Sequence, residues 1–282
     1  MKSLESALIR GKETGSLNLS QRDLNEIPFQ LIQFDTLKFE NARWWEFVNI
    51  SKLDISLNSI SIIPEDLFLG NLNDLTHLNI SHNCLRNLPE SLKKLKLLKQ
   101  INVSNNQLQA LPNLASFKHL VEIRMSNNTI NSLDLSDCDA LQALYADHNK
   151  LERLYKLPDS LRILDVSANI ITDIANDFLS KDSELRTFNL SDNKLKQLPH
   201  VIGNLRKLSE LDISKNEISI LISFKETSLH SLSASHNMIK MIDAFPYLLS
   251  TVLLDNNKLT DFPKALLALE QLVTLDLRNN DL

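Results

Sequence analysis

The sequence predicts an α/β solenoid, in which short parallel strands stack on one side while short helices, 3₁₀ turns and extended segments return the chain on the other. Two observations predict this architecture. The pattern L-x-x-L-x-L-x-x-N-x-L recurs twelve times along the 282 residues. From the second copy onward, its asparagines lie 20 to 25 residues apart. A period of this size leaves room for one strand and one return segment in each repeat.

The central L-x-L of each copy alternates as a half-buried strand does. In LTHLNISHNCL, at residues 75–85, Leu78 and Ile80 point inward while the residue between them points outward. One copy cannot bury its apolar side alone, so stacked copies must share one continuous core. The pattern is that of leucine-rich repeats, and it predicts a curved horseshoe with the parallel sheet on its concave side. Longer copies have room for a short helix on the convex side, and shorter copies should run extended.

The asparagine of each copy is expected to turn inward, where its amide must bond to backbone groups of its own and neighbouring repeats. We call these residues the asparagine ladder: Asn58, Asn83, Asn106, Asn128, Asn149, Asn169, Asn193, Asn216, Asn237, Asn257 and Asn280. Arg22 takes this place in the first copy and cannot fill the same role. The first copy is therefore predicted to belong to an end cap.

The repeat frame divides the chain into two segments. Residues 1–49 are predicted to form an N-terminal cap with the first atypical repeat and a tryptophan-containing insert, and residues 50–282 to hold eleven repeats, the last truncated. The insert carries both tryptophans of the chain, Trp44 and Trp45. These side chains either plug the open N-terminal end of the core or anchor a partner.

Composition favours a location inside the cell. The chain has a mean hydropathy of -0.14, no apolar stretch long enough for a membrane span and no signal peptide. Cys84 and Cys138 form no disulfide framework and are interpreted as buried or part-buried free thiols. Six Asn-x-Ser/Thr sites fall mostly within predicted strands, where glycans would cover the sheet. We expect a cytoplasmic protein, with the nucleus as the alternative, and no membrane partner.

The two ends of the chain resemble one particular family. GSLNLSQRDLNEIP, at residues 15–28, is followed by an insert with RWWE and then by ISKLDISLNSI. This order is similar to the N-terminus of the leucine-rich repeat-containing protein 40 family. LVTLDLRNNDL, at residues 272–282, resembles one of that family's last repeats. The resemblance implies an intracellular horseshoe that binds proteins and has no established chemistry.

The residues offer no candidate for catalysis, cofactor binding or metal binding. Four glycines cannot build a phosphate-binding loop, and no hydrolase, kinase or metalloprotease motif occurs. His82, His148 and His236 share one outward slot but lie three and four repeats apart, about 14 to 19 Å at the usual strand spacing. The predicted outward positions hold nine acids and four bases. This excess of acids disfavours nucleic acid as a ligand of the sheet.

A protein partner on the concave face is the function that remains. Tyr145 is the only aromatic residue at an outward strand position in the interior copies, with Arg124 one copy before it and Asp165 one copy after. Asp147 and His148 follow on the same strand edge. An aromatic residue flanked by charges is typical of an interface hot spot. Secondary candidates are Leu253, Trp44 and Trp45.

The sequence thus predicts a non-enzymatic protein–protein interaction scaffold of the intracellular type, acting in signalling, with no cofactor. The alternative is a recognition arm or fragment of a larger protein whose catalytic part lies elsewhere. At the C-terminal end, Leu272, Leu275, Leu277 and Leu282 stand at inward positions with no cap after them. We therefore expect an incomplete horseshoe, or end-to-end association through the uncapped last repeat.

Overall fold

The computed structural model describes residues 4–34, 47–70 and 72–282, which fall into two units. The first unit spans Met1–Ile130 and the second Asn131–Leu282. Both are built from the same repeated element, a three-residue strand whose middle residue is buried in every strand except the last.

The first unit begins with helix α1, Leu4–Thr14, which packs on strand β1, Ser16–Asn18. Gly11 permits this close packing, because a Cβ atom there would lie 3.1 Å from the Leu17 side chain. Gly15 adopts a φ of +70° between helix and strand, a conformation that glycine takes without steric cost. A one-turn helix α2, Phe29–Ile32, follows.

Four more strands continue the first unit: β2 Lys52–Asp54, β3 His77–Asn79, β4 Gln100–Asn102 and β5 Glu122–Arg124. Each pairs in parallel with its predecessor, and the middle residues Leu53, Leu78, Ile101 and Ile123 are in register. All four middle residues are buried. A parallel sheet therefore extends from β1 to β5, with its apolar side on the core.

The second unit repeats this construction with seven strands. In sheet order they are β6 Ala143–Tyr145, β8 Ile163–Asp165, β10 Thr187–Asn189, β11 Glu210–Asp212, β13 Ser231–Ser233, β15 Thr251–Leu253 and β16 Thr274–Asp276. Two small parallel sheets lie between them in sequence, β7 Arg153–Leu154 with β9 Asp173–Ile174 and β12 Ile220–Leu221 with β14 Met241–Ile242. These pairs begin four residues after a ladder asparagine.

The return segments are short and varied. Three are 3₁₀ helices, Glu65–Phe68, Glu90–Lys94 and Lys264–Ala268, and one is the α-helical turn α3, His200–Gly203. Each follows a proline in extended conformation, whose missing N–H costs nothing at a helix start. Four repeats contain β7, β9, β12 or β14 in place of a helix, and three of them, those with β7, β12 and β14, are only 20 or 21 residues long. The predicted parallel-strand solenoid with few helices is confirmed.

Aromatic side chains from strands and return segments fill the core. Six phenylalanines are almost completely buried: Phe34, Phe68, Phe117, Phe178, Phe188 and Phe224. Phe178 comes from a return segment and Phe188 from β10, and their rings stack at 5.8 Å. Burying each such side chain stabilises the fold by about 1.5–3 kcal/mol. The core thus joins the strand side to the return side within a unit.

The two cysteines differ in burial, and so do the last two strands. Cys138 is buried, but Cys84 is exposed, so its predicted burial is wrong. It lies between Asn83 and Leu85, both buried, where the intervening side chain points outward. In the last strand, Leu275 is 38% exposed, while its register partner Val252 is 0% exposed.

Within the residues described, no helix combines the length and the apolar character needed to cross a membrane.

Candidate protein-binding face

The asparagine ladder holds the turns that follow the strands. In Asn106, the Nδ2 atom donates to the carbonyls of Ile80, Val103 and Ser104 at 3.1, 3.0 and 3.3 Å, and Oδ1 accepts the N–H of Leu85 at 3.0 Å. Nine ladder residues are buried in this way, while Asn58 and Asn280 are partly exposed. Because each amide bonds to two successive repeats, it sets the position of the outward side chains next to it.

The residue before each ladder asparagine has a left-handed backbone. Its φ lies between 50° and 56° in every such repeat, as at His82, His148 and His236. Histidine, asparagine and aspartate tolerate this region better than most residues. The three histidines therefore have a backbone reason for their position. Among the described residues, no group of three or more His, Cys, Asp or Glu side chains is placed to hold a metal ion.

A second turn recurs at the carboxyl end of the strands. The last strand residue is Asn or Asp in eight repeats, and its Oδ1 accepts the backbone N–H two residues later at 2.8–3.2 Å. These acceptors are Asn18, Asp54, Asn79, Asn102, Asp165, Asn189, Asp212 and Asp276. The bond is an Asx turn, which stabilises the chain reversal locally. We call this position the Asx slot.

The Asx slot was missed in reading the sequence, although a signal was present. The triplets NLS, DIS, NIS, NVS and DVS recur at the strand ends, with Ser two residues after the Asn or Asp. In several repeats the Ser hydroxyl also donates to the slot side chain, as Ser81 does to Asn79 at 2.7 Å. Ser81 occupies an outward position of the repeat, two residues before the ladder asparagine, but it is only 4% exposed. Its hydroxyl is engaged by the turn rather than presented to a ligand.

Four repeats place a different residue in the slot: Arg124, Tyr145, Ser233 and Leu253. Arginine, tyrosine and leucine side chains cannot make an Asx turn, so the turn does not explain their presence. Three of these four residues are the partner-binding candidates that the sequence predicted at this position. The departure from the pattern is the structural feature that distinguishes them from their neighbours.

Tyr145 and Asp165 lie side by side in the second unit. They are register partners on the adjacent strands β6 and β8, and both are half-buried. Asp165 is already engaged, since Oδ1 accepts the Ser167 N–H at 3.0 Å and Oδ2 accepts Asn189 Nδ2 at 3.3 Å. His148 Nδ1 lies 3.0 Å from Asp147 Oδ2 at the end of the same strand as Tyr145. The structure therefore brings these four candidates together.

The other candidates lie elsewhere. Arg124 belongs to the first unit, on β5, where its guanidinium pairs with Glu122. Leu253, on β15, is half-buried between Ser233 and Asp276 in register. Trp44 and Trp45 lie outside the described residues.

The outward positions of the two units differ in charge. In each repeat they are the first and third strand residues and the two residues before the ladder position. We call those of β1–β5 the first face and those of the seven second-unit strands the second face. The first face holds the acids Asp54 and Glu122 and the bases Lys52 and Arg124. The second face holds the acids Asp147, Asp165, Asp192, Glu210, Asp212, Asp255 and Asp276 and the bases Lys215 and Arg278.

One acid of the second face is neutralised locally. Arg278 donates to both carboxylate oxygens of Asp276, with distances of 2.6 to 3.1 Å. These bonds lower the pKa of Asp276 and raise that of Arg278. The remaining acids still outnumber Lys215, so the second face presents a net negative charge.

Comparison with known proteins agrees with this architecture. The family described as Leucine rich repeat matches residues 48–108 and 159–218. The matched segments are leucine-rich repeats. The chain is 25% identical to the crystallised leucine-rich repeat domain of APL1B, covering 98% of this chain and 80% of that one, with a TM-score of 0.79. In the LRIM1/APL1C complex, a chain of the same fold is 24% identical with a TM-score of 0.80, covering 94% of this chain and 48% of that one.

Similar curated proteins are longer than this chain. Mouse leucine-rich repeat serine/threonine-protein kinase 1 is 31% identical over an alignment that covers 74% of the chain and 11% of the kinase. Rat osteomodulin is 29% identical, covering 69% of the chain and 49% of osteomodulin. Mouse podocan-like protein 1 is 26% identical, over an alignment that covers 99% of the chain and 56% of podocan-like protein 1. The chain thus spans between 11% and 56% of these relatives.

Proposed function

We propose that this chain is a non-enzymatic protein–protein interaction scaffold whose partner binds the second face through a basic surface. Leucine-rich-repeat proteins typically act as interaction modules, and the LRIM1/APL1C structure is a complex between two proteins. The observation that carries the proposal is the charge of the second face, with seven acids and two bases. The comparisons do not favour the alternative of a recognition arm that serves a catalytic part.

The Asx turn gives these acids a fixed orientation. In Asp212, Oδ1 accepts the Ser214 N–H at 2.8 Å, which leaves Oδ2 directed outward as an acceptor. Asp165 makes the same turn, and its Oδ2 also accepts Asn189 Nδ2. A preoriented carboxylate loses less side-chain entropy when it meets a Lys or Arg of a partner. An array of such groups also steers a basic partner during association.

Tyr145 supplies the apolar anchor of the proposed interface. It is the aromatic residue of the second face, it departs from the Asx pattern, and its neighbours Asp147 and Asp165 are acidic. Tyrosine contributes a large contact area at a low entropic cost and is enriched at hot spots. Leu253, in the Asx slot of β15, is a secondary contact in this proposal.

The test compares variants that differ only at the faces. Asp165→Asn and Asp212→Asn keep the Oδ1 acceptor of the turn and remove the charge, so the fold should be retained. Partners recovered by affinity purification and quantitative mass spectrometry from cells should bind the double variant about tenfold more weakly, and Tyr145→Ala five- to tenfold more weakly. The matched control is Asp54→Asn, the same change in the same slot of the first face.

Two results would contradict the proposal. A partner recovered equally by the wild-type chain, Tyr145→Ala and the double variant would place the interface elsewhere. A partner lost equally with Asp54→Asn would show that the second face has no special role. Raising the salt concentration should also weaken the wild-type complex, because exposed charges are screened over about 10 Å at 0.1 M.

Several finer assignments belong to the same proposal. We place the protein in the cytoplasm, with the nucleus as the alternative, in a signalling assembly and in the leucine-rich repeat-containing protein 40 family, on the strength of the quoted end segments. The division into a cap at 1–49 and repeats at 50–282, and the end-to-end association, also stay predictions. A fluorescent fusion seen only in the secretory pathway would contradict the location.

A further inference from the structure

The first face carries a polar cleft that the proposed function does not use. It has a volume of about 350 Å³ and is lined by outward residues from all five strands β1–β5, among them Asn18, Lys52, His77, Asn79 and Asn102. Four steps between strands, at about 4.8 Å each, make it about 19 Å wide. An extended peptide of about six residues spans that distance, at roughly 3.3 Å per residue.

The Asx turns orient the amides of this cleft. The oxygen of Asn79 accepts the N–H and the hydroxyl of Ser81 at 3.2 and 2.7 Å, and that of Asn102 accepts the Ser104 N–H at 3.0 Å. Since only the oxygen can accept these bonds, the NH₂ groups must point into the cleft. Among the described residues, the NH₂ groups of Asn79, Asn102 and Asn18 have no hydrogen-bond acceptor. The cleft therefore presents hydrogen-bond donors to a ligand.

Two lysines lie near the amino ends of the same strands, Lys52 at the start of β2 and Lys99 directly before β4. Partial burial is the largest cause of the lowered pKa of His77, and the charges of Lys52 and Lys99 add to it. Both lysine side chains are exposed, and Lys52 lines the cleft. The Lys52 ammonium makes this end of the cleft favourable for a carboxylate.

The acids of the first face are mostly engaged within the chain. Glu122 pairs with Arg124 through one oxygen and accepts Gln100 Nε2 at 3.4 Å through the other. Asp54 accepts the Ser56 N–H at 2.9 Å through Oδ1, which leaves Oδ2 facing the cleft. Asp54 is thus the group that opposes an acidic ligand most directly.

We propose that the first face binds an extended peptide segment with acidic side chains. Its carboxylates meet Lys52, and its carbonyl or carboxylate oxygens accept hydrogen bonds from Asn79 and Asn102. The Asx turn therefore presents mainly donors on the first face, where three of its four residues are Asn, and mainly acceptors on the second face, where three of its four are Asp. The inference goes beyond the proposed function and uses separate residues, so either can fail alone.

The experiment uses the whole chain and three labelled hexapeptides. In the first, Glu alternates with Gly, so that all carboxylates lie on one side of the extended peptide, and in the other two Gln or Lys replaces Glu. Fluorescence anisotropy should rank the affinities Glu, then Gln, then Lys, with about tenfold between the first and the last.

Isosteric variants then test the orientation of the slot side chains. Asn79→Asp with Asn102→Asp keeps both turns but replaces the donors by carboxylates, and should weaken the Glu peptide by at least about tenfold. Asn189→Asp, the matched control on the second face, should leave the affinity for the Glu peptide unchanged. Asp54→Asn should strengthen binding severalfold, because it turns the opposing acceptor into a donor.

The outcomes decide the proposal in either direction. A wild-type chain that does not bind the Glu peptide, or binds the Lys peptide as well, overturns it. Equal affinity of the wild-type chain and the Asn79→Asp, Asn102→Asp variant also overturns it. Circular dichroism would show whether that variant unfolds. In that case Lys52→Gln replaces it, because the Lys52 side chain is exposed and its loss should weaken binding of the Glu peptide without unfolding the chain. An unchanged affinity in Lys52→Gln would then contradict the proposal.

Discussion

The two units share a backbone design but differ in what they offer to a partner. In the described part of each, the ladder asparagine holds the turn and the Asx slot holds the strand end. Three of the four Asx turns of the first unit are made by Asn, at Asn18, Asn79 and Asn102, and three of the four in the second unit are made by Asp, at Asp165, Asp212 and Asp276. Asp54 and Asn189 are the exceptions. Asn and Asp make the same turn through Oδ1, so the fold is indifferent to the choice. Recognition by a partner does depend on the choice, because the side-chain group that faces outward is an NH₂ donor in Asn and a carboxylate acceptor in Asp.

The return sides also differ in how successive repeats are joined. In the first unit, the Glu65 carboxylate accepts the backbone N–H groups of Glu90 and Ser91 at 2.9 and 2.8 Å. In the second unit, Glu184 pairs with the Lys207 ammonium. A bond to backbone groups and an ion pair between side chains respond differently to salt, which makes the two joints experimentally separable.

The largest expected effect tests the part of the design that the units share. Asn128→Leu in the first unit and Asn216→Leu in the second should each lower the free energy of unfolding by about 1–3 kcal/mol, because buried carbonyls and an N–H lose their partner. Asn280→Leu should cost less, since Asn280 is partly exposed and water can replace its bonds. Chemical denaturation measures all three. A large loss in one unit and none in the other would break the comparison.

A second prediction concerns glycines of the return segments. A Cβ atom on Gly203, at the end of α3, would lie 2.1 Å from the Ser223 carbonyl oxygen, while one on Gly70 would meet nothing within 4 Å. Gly203→Ala should destabilise the second unit by about 1–2 kcal/mol, since the clash outweighs the gain from removing a helical glycine. Gly70→Ala is the matched control in the first unit. Equal melting temperatures for both variants would refute the close packing.

The smallest effect separates the two joints by pH and salt. The pKa of Glu65 is lowered mainly by the backbone N–H groups of Ser91 and Glu90, and that of Glu184 by hydrogen bonding to Lys207. A lowered folded-state pKa means that each carboxylate stabilises the fold above its ordinary value of 4.5 and loses this contribution as the pH falls through the folded-state value. Stability should therefore drop below pH 4.5.

The matched variants are Glu65→Gln and Glu184→Gln. Each should flatten the decline of stability at acid pH slightly, as measured by thermal unfolding between pH 6 and pH 3 in the two variants and the wild-type chain. High salt should reduce the effect of Glu184→Gln more than that of Glu65→Gln, because only Glu184 relies on a side-chain ion pair. An equal response to salt would show that the two joints are equivalent.

Much of the fold could be read from the period alone. A period-two apolar pattern placed each strand, since Leu53, Leu78, Ile101 and Ile123 had to face a common core. Repeat length largely separated helical from extended return segments, because 20 or 21 residues leave little chain for a helix. These features depend on spacing and on the burial of apolar side chains, which are properties of the sequence itself.

The site could be predicted only in part. The sequence singled out Tyr145, Asp147, His148 and Asp165, which the structure brings together on β6, β8 and the turn that follows β6. It also grouped Arg124 with them, although Arg124 belongs to the other unit and pairs with Glu122. Unit boundaries and ion pairs depend on how chain segments pack, and the repeat pattern does not encode that packing.

By itself, then, the sequence determined the repeat, the strands, the inward amides and the excess of acids over bases. The tertiary structure decided what each polar side chain has left to offer. Cys84 became exposed and Ser81 buried, and the Asx turn consumed one oxygen of Asp212 and the only oxygen of Asn79. The reason is that a polar side chain bonds first to nearby backbone groups that the folded turn brings within reach, and only the atom that remains can meet a partner.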